Sequence, residues 1–209
     1  MLLLADEFFL VAHDDFSGRR RLAPHTMALG LSGAILGELV LFGRITIQSE
    51  KIHLVDPRPP RDGLAHTVLD QLANESEVYE VREWLQYLAT TIYDDVGMRL
   101  VRNGNARRTK ARRLLHTELV YQPVDVNYSG TLLASLSTSL YARYSFTIPE
   151  TALLGLLDAT GLDRLLLRDG GAEARKYLHQ VIGLLPGPLR ELIGHTEAAV
   201  ADAVLHHKR

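Results

Sequence analysis

The chain contains no cysteine, which removes disulfides, thiolate metal sites and cysteine nucleophiles together and leaves the redox compartment open. Lysine is scarce: Lys51, Lys110, Lys176 and Lys208 stand against 19 arginines, a bias that fits a GC-rich bacterial coding sequence. No apolar run is long enough to cross a bilayer. The best stretch, Met27 to Gly43, contains Glu38 and falls short of the roughly 20 residues a spanning helix needs. The opening Met1-Leu2-Leu3-Leu4-Ala5 lacks a basic leader, and Asp6-Glu7 cut its apolar run short, so it does not read as a signal peptide.

Catalytic signatures are missing too. Gly30-Leu31-Ser32-Gly33-Ala34 approaches the hydrolase elbow Gly-x-Ser-x-Gly and fails at its last position. No phosphate-cradling loop and no dinucleotide fingerprint occur. The nine histidines include no His-Glu-x-x-His pair, and His206-His207 lies in a tail where a solvated role outweighs a metal site. Asp14-Asp15 and Asp94-Asp95 are adjacent in sequence, so regular structure splays each pair apart, and turn or helix-end roles account for them. The expectation is a protein without enzymatic activity, cofactor or metal.

What remains is an ordinary globular composition, 46% hydrophobic and 23% charged over 209 residues, which fits one domain spanning 1–209. Its richest segment is Gly30 to Ile47, an apolar helix that passes through Gly43 into a strand led by Arg44. The Gly33/Gly37 pair permits close approach of another helix. Ile45-Thr46-Ile47 and Ile52-His53-Leu54 alternate with period two around Gln48-Ser49-Glu50-Lys51 and read as an exposed hairpin. Helices are expected over Leu2–Ala12, Leu64–Leu72, Val81 to Ile92, Ile92–Asn103, Leu132–Tyr144, Pro149–Leu157, Ala172–Leu185 and Pro188–His207, with a second hairpin over Asn105–Val126. The fold class is mainly α, a compact helical domain with two β-hairpins.

Glu38 shares a helix face with Leu31, Ala34, Ile35 and Phe42. A carboxylate there needs a partner, because an unpaired buried charge costs several kcal/mol. Arg44 or a backbone amide is the expected one. The positive signal is charge asymmetry. From Val96 to Thr117 there are seven basic residues, Arg99, Arg102, Arg107, Arg108, Lys110, Arg112 and Arg113, and no acidic one, in a chain of formal net charge −2. Arg19-Arg20-Arg21 forms a second cluster. Either cluster alone is compatible with a solvated face; together they fit an anionic surface, phospholipid or nucleic acid. Near an anionic leaflet each basic residue contributes on the order of 1 kcal/mol. Nucleic acid calls for a recognition helix or stacking aromatics, and the sequence shows none beside this patch, so it ranks second. Helix followed by hairpin occurs twice, which leaves a winged-helix-like nucleic-acid or protein-interaction module as the alternative.

Three stretches carry a family resemblance: Gly30 to Ile45, Val68-Leu69-Asp70-Gln71-Leu72, and Val81-Arg82-Glu83-Trp84-Leu85. With the opening Leu4 to Leu10 and the Asp14/Asp15…Gly18 turn, the chain resembles the Golgi phosphoprotein 3 family of phosphoinositide-binding peripheral membrane proteins. The resemblance implies a protruding hairpin that dips into the membrane, falling at Asn105 to Tyr121 here, so that Arg107, Arg108, Lys110, Arg112 and Arg113 sit at its tip. It also implies binding of phosphatidylinositol 4-phosphate. The residues of that pocket do not carry over, since the family tryptophan falls at Ala23 and its three arginines at Ser32, Asp94 and Gly97. Arg19, Arg20, Arg21 and His25 on one wall, with Arg99 and Arg102 on the other, are the candidates for a different headgroup site. Expected partners are an anionic phospholipid membrane, membrane-protein cargo and a second copy bound through the hairpin. The expected location is the cytoplasmic face of the plasma membrane in a bacterium, or of the Golgi in a eukaryote.

Overall fold

The computed structural model describes residues 2–75, 80–112, 117–168 and 170–206. Arg113 and His207 of the readings above lie outside them. The first helix, α1 (Leu4–Val11), buries seven of its eight residues. Helix α2 (Pro24–Leu41) starts on a proline, whose fixed φ suits the first helical turn. It is the one helix among the described residues with the length and composition of a membrane span, yet 78% of it is buried inside the protein. Helices α1, α4 (Val81–Leu88), α5 (Ile92–Arg102), α7 (Ile148–Ala159) and α10 (Gly187–His206) pack around it. Its glycines set those approaches: a Cβ on Gly33 would stand 2.6 Å from Thr196 Oγ1, and one on Gly30 would stand 2.3 Å from the Phe8 ring. The small-residue pair therefore serves helix packing, with α10 (Gly187–His206) as the partner across Gly33.

Gly43 takes a positive φ and closes α2. Strand β1 (Ile45–Gln48) then pairs antiparallel with β2 (Lys51–Leu54) across Ser49 and Glu50, both at positive φ. That is the primed two-residue turn whose twist matches paired strands. Ile45, Ile47 and Ile52 are buried, so this hairpin is not the exposed one expected: one face closes on the core beside α10.

Asp62 caps α3 (Gly63–Asn74) by accepting from the Ala65 amide at 2.9 Å. The helix expected over Val81 to Ile92 ends early, as α4 (Val81–Leu88), and the one expected over Ile92–Asn103 is α5 (Ile92–Arg102). Strands β3 (Ala106–Arg112) and β4 (Thr117–Pro123) form the second hairpin. Arg107, Arg108 and Lys110 are spaced along β3, Arg107 one residue from its base, and do not gather at a tip. The remainder is helical: α6 (Tyr128–Ala142), α7 (Ile148–Ala159), the four-residue α8 (Asp163–Leu166), α9 (Gly171–Gly183) and α10. Thr147 and Glu150 form a reciprocal capping box at the start of α7. One contiguous apolar core draws on residues from Leu4 to Val200. The fold is mainly α with two hairpins.

Candidate functional site: arginines inside and outside

Two sets of arginines meet opposite fates. Arg99, on the inward face of α5, is 2% exposed. Its Nε donates to Asp6 Oδ1 at 2.8 Å, Nη1 to Glu38 Oε2 at 2.8 Å and to Asp62 Oδ1 at 3.1 Å, and Nη2 to Glu38 Oε1 at 2.9 Å. Glu38 Oε1 also accepts from the Ala5 amide at 2.8 Å, and Asp6 Oδ2 from the Leu3 amide at 3.1 Å. One guanidinium thus ties α1, α2, the cap of α3, and α5 together. Burial raises the carboxyl pKa of Asp6 and of Glu38 against the pull of Arg99. Burial opposes the Arg99 charge as well, but the hydrogen bonds and charges of Glu38, followed by those of Asp6 and Asp62, hold its pKa above the ordinary arginine value. The backbone amide expected for Glu38 is there. Arg44 is not: it pairs with Asp56 instead. Arg99 is fully engaged in the core and leaves the candidate headgroup set.

The second set begins at the turn after α1. Asp14 Oδ1 accepts from the Ser17 amide at 2.9 Å and from Ser17 Oγ at 2.7 Å, while the Gly18 amide donates to the Asp14 carbonyl at 2.8 Å. Gly18 has a φ of 62°, a conformation glycine adopts without strain. Beyond the turn the chain doubles back, with the Asp14 amide on the Arg19 carbonyl and the Arg21 amide on the Ala12 carbonyl, each at 2.8 Å. Arg21 is occupied locally, since its Nε donates to the His13 carbonyl at 2.8 Å. Arg20 lies over the Tyr93 ring, 5.0 Å from its centroid, in cation–π geometry.

Beneath Arg20 sits an aromatic stack. Phe9 stacks on His13 at 4.2 Å and on Tyr93 at 5.2 Å, and Tyr93 meets Tyr121 edge-on at 5.8 Å. His13 Nδ1 donates to the Phe9 carbonyl at 2.7 Å; a carbonyl only accepts, so the neutral ring's Nε2 accepts from the Tyr93 hydroxyl at 3.0 Å. Burial, opposed by that carbonyl, lowers the His13 pKa to about 4. The Tyr121 hydroxyl donates to Asp94 Oδ1 at 2.9 Å, and burial followed by Asp94 raises its pKa to about 12. A Cβ on Gly97 would stand 2.6 Å from the Tyr121 ring. Thus Asp94 and Gly97, two positions where the resemblance expects arginines, serve instead to seat Tyr121. The third, Ser32, is buried and its Oγ donates to the Ala28 carbonyl at 3.0 Å.

The base of the β3–β4 hairpin joins this turn. Gln122 Nε2 donates to the Phe16 carbonyl at 3.2 Å, and Gln122 pairs across the ladder with Arg107, whose side chain therefore shares its face. Arg108 pairs with Tyr121. Arg19, Arg107, Arg108 and Lys110 are exposed, with no ion pair among the described residues. The backbone of β3 continues to Arg112.

The expected two-walled site is not assembled as such. The turn that carries Arg19 touches the hairpin through Gln122, the ladder partner of Arg107, and Arg20 covers Tyr93, which meets Tyr121, the ladder partner of Arg108. Arg102 is nine residues along α5 from Tyr93, about 180° around the helix, and lines a groove of about 380 Å³ with Leu64, Asp95 and Met98. His25 is exposed in the first turn of α2 and makes no hydrogen bond or ion pair with a described residue. Nor is the patch without aromatics: Tyr93 lies under Arg20, and Phe16, in the same turn as Arg19, is 77% exposed. Sequence reasoning missed His13, Tyr93 and Phe16. Only Phe16 left a trace, as the lone aromatic in a turn-forming Asp-Asp-Phe-Ser-Gly run. No group of three metal-ligating side chains stands together among the described residues. A larger groove of about 780 Å³, lined by Trp84, Tyr87 and Glu75, Glu80 and Glu83, bears mainly acidic charge.

No curated protein matches the chain. The model of one protein family does, that of Golgi phosphoprotein 3 (GPP34), over residues 4–203.

Proposed function

Because the chain belongs to the Golgi phosphoprotein 3 family, we propose that it is a peripheral membrane protein that binds anionic phospholipid headgroups through Arg19, Arg107, Arg108 and Lys110. One observation carries this reading: four exposed cations without ion pairs among the described residues line one turn and the strand beside it. Surface cations that leave their neighbours unneutralised attract an anionic leaflet, each contributing about 1 kcal/mol, and the attraction fades within a Debye length. A protein of net charge −2 gains from such a concentrated patch what its overall charge denies it. Recognition by charge density, rather than by one phosphoinositide isomer, fits Ser32, Asp94 and Gly97, none of which presents a cation to a 4-phosphate. The cytoplasmic face of a membrane is the corresponding location.

Flotation with phosphatidylcholine vesicles, with and without phosphatidylserine, tests the proposal at low and high salt. Binding is expected only with the anionic lipid and is expected to weaken as salt rises. Equal binding to neutral vesicles, or a salt-dependent shift of duplex DNA with no vesicle binding, would contradict it.

A further inference from the structure

We infer that Phe16 is a membrane-inserting side chain, entering the interfacial layer of an anionic bilayer while Arg19 and Arg107 hold headgroups around it. The inference rests on the membrane reading above and adds a hydrophobic anchor to it. Exposure alone carries nothing, since scattered exposed apolar side chains are normal on a soluble surface. Three further features set Phe16 apart.

First, its backbone is clamped. Ser17 and Gly18 are bonded to Asp14 on one side, and the Phe16 carbonyl accepts from Gln122 on the other. A side chain presented on a fixed turn loses little backbone freedom when it inserts. Second, the acidic neighbours are engaged by other groups. Asp14 is used by the turn and faces Arg21 at 3.6 Å, and Asp15 is buried, where it accepts from Ser129 Oγ. Third, cations stand on the adjoining backbone: Arg19 lies three residues on, and Arg107 shares the hairpin face of Gln122, which holds the Phe16 carbonyl. An exposed aromatic side chain on a turn that carries cations fits the boundary between headgroups and acyl chains.

The native chain has no cysteine, so Phe16→Cys carrying an environment-sensitive nitrobenzoxadiazole label reports on this site alone. With phosphatidylcholine–phosphatidylserine vesicles the label is expected to shift its emission to the blue. Unlabelled Phe16→Ala is expected to partition about tenfold more weakly, the effect of partial burial of a phenyl ring, and Phe16→Trp to restore binding. All three variants should unfold at the native midpoint, because Phe16 is 77% exposed. A label that stays in water in the bound state, or Phe16→Ala that partitions like the native chain, overturns the inference and leaves headgroup binding standing. Native protein that fails to bind these vesicles overturns both.

Discussion

Arg99 and Arg107 lie eight residues apart and do opposite work. Arg99 faces Asp6, Glu38 and Asp62 at the edge of the core, where its charge is needed so that the carboxylates of Asp6 and Glu38 can be buried at all. Arg107 faces solvent with no ion pair among the described residues. The same side chain is a fastener in one place and a contact surface in the other. What decides is whether an acidic partner is brought to it, not the basic run in which it sits. Charge counted along the chain therefore overstates the cationic surface, and geometry trims the seven-residue cluster.

Removing the inner arginine is the strongest way to break this comparison. Arg99→Ala leaves the carboxylates of Asp6, Glu38 and Asp62 facing one another and should cost about 3–5 kcal/mol, read as a lowered urea midpoint. A loss under about 1 kcal/mol, the value of a surface pair, would show that the cluster is not a fastener.

Next in size is His13, beneath the outer set. Its folded pKa of about 4 lies below its ordinary 6.5. Between those values the unfolded chain binds more protons than the folded one, so this contribution is complete above pH 6.5 and is lost as pH falls toward 4. It amounts to about 3 kcal/mol. Urea unfolding across that range should show native stability rising with pH relative to His13→Phe. A constant difference between the two would contradict a buried neutral imidazole.

The smallest effect belongs to Tyr121→Phe, which removes the bond to Asp94 and keeps the ring on Gly97. Asp94 is exposed and regains water, so the cost should be about 0.5–1.5 kcal/mol by thermal unfolding. A larger loss would mean that the hydroxyl, rather than the ring, seats the hairpin.

The elements whose signal is local were legible in the sequence. Period-two alternation marked the β1–β2 hairpin, and the largely apolar α2 marked the core. The start of α5 at Ile92 was legible but the early end of α4 was not, because Leu88 and Ile92 keep helical spacing across Ala89–Thr91 while the chain turns there. The four-residue α8 is too short to leave a periodic pattern. Arg99 illustrates the deeper limit. Its partners are 93, 61 and 37 residues away in sequence, and nothing within a helical window distinguishes it from Arg102. Phe16 is a single residue in a turn, and a single residue has no period to read.

The most direct test is vesicle binding by the double charge swap Arg107→Glu with Arg108→Glu, with urea unfolding measured on the same preparation. Two lost cations, at about 1 kcal/mol each, should weaken partition to phosphatidylserine-containing vesicles by about 30-fold or more, with stability unchanged within about 0.5 kcal/mol. Binding equal to that of the native chain would contradict the account.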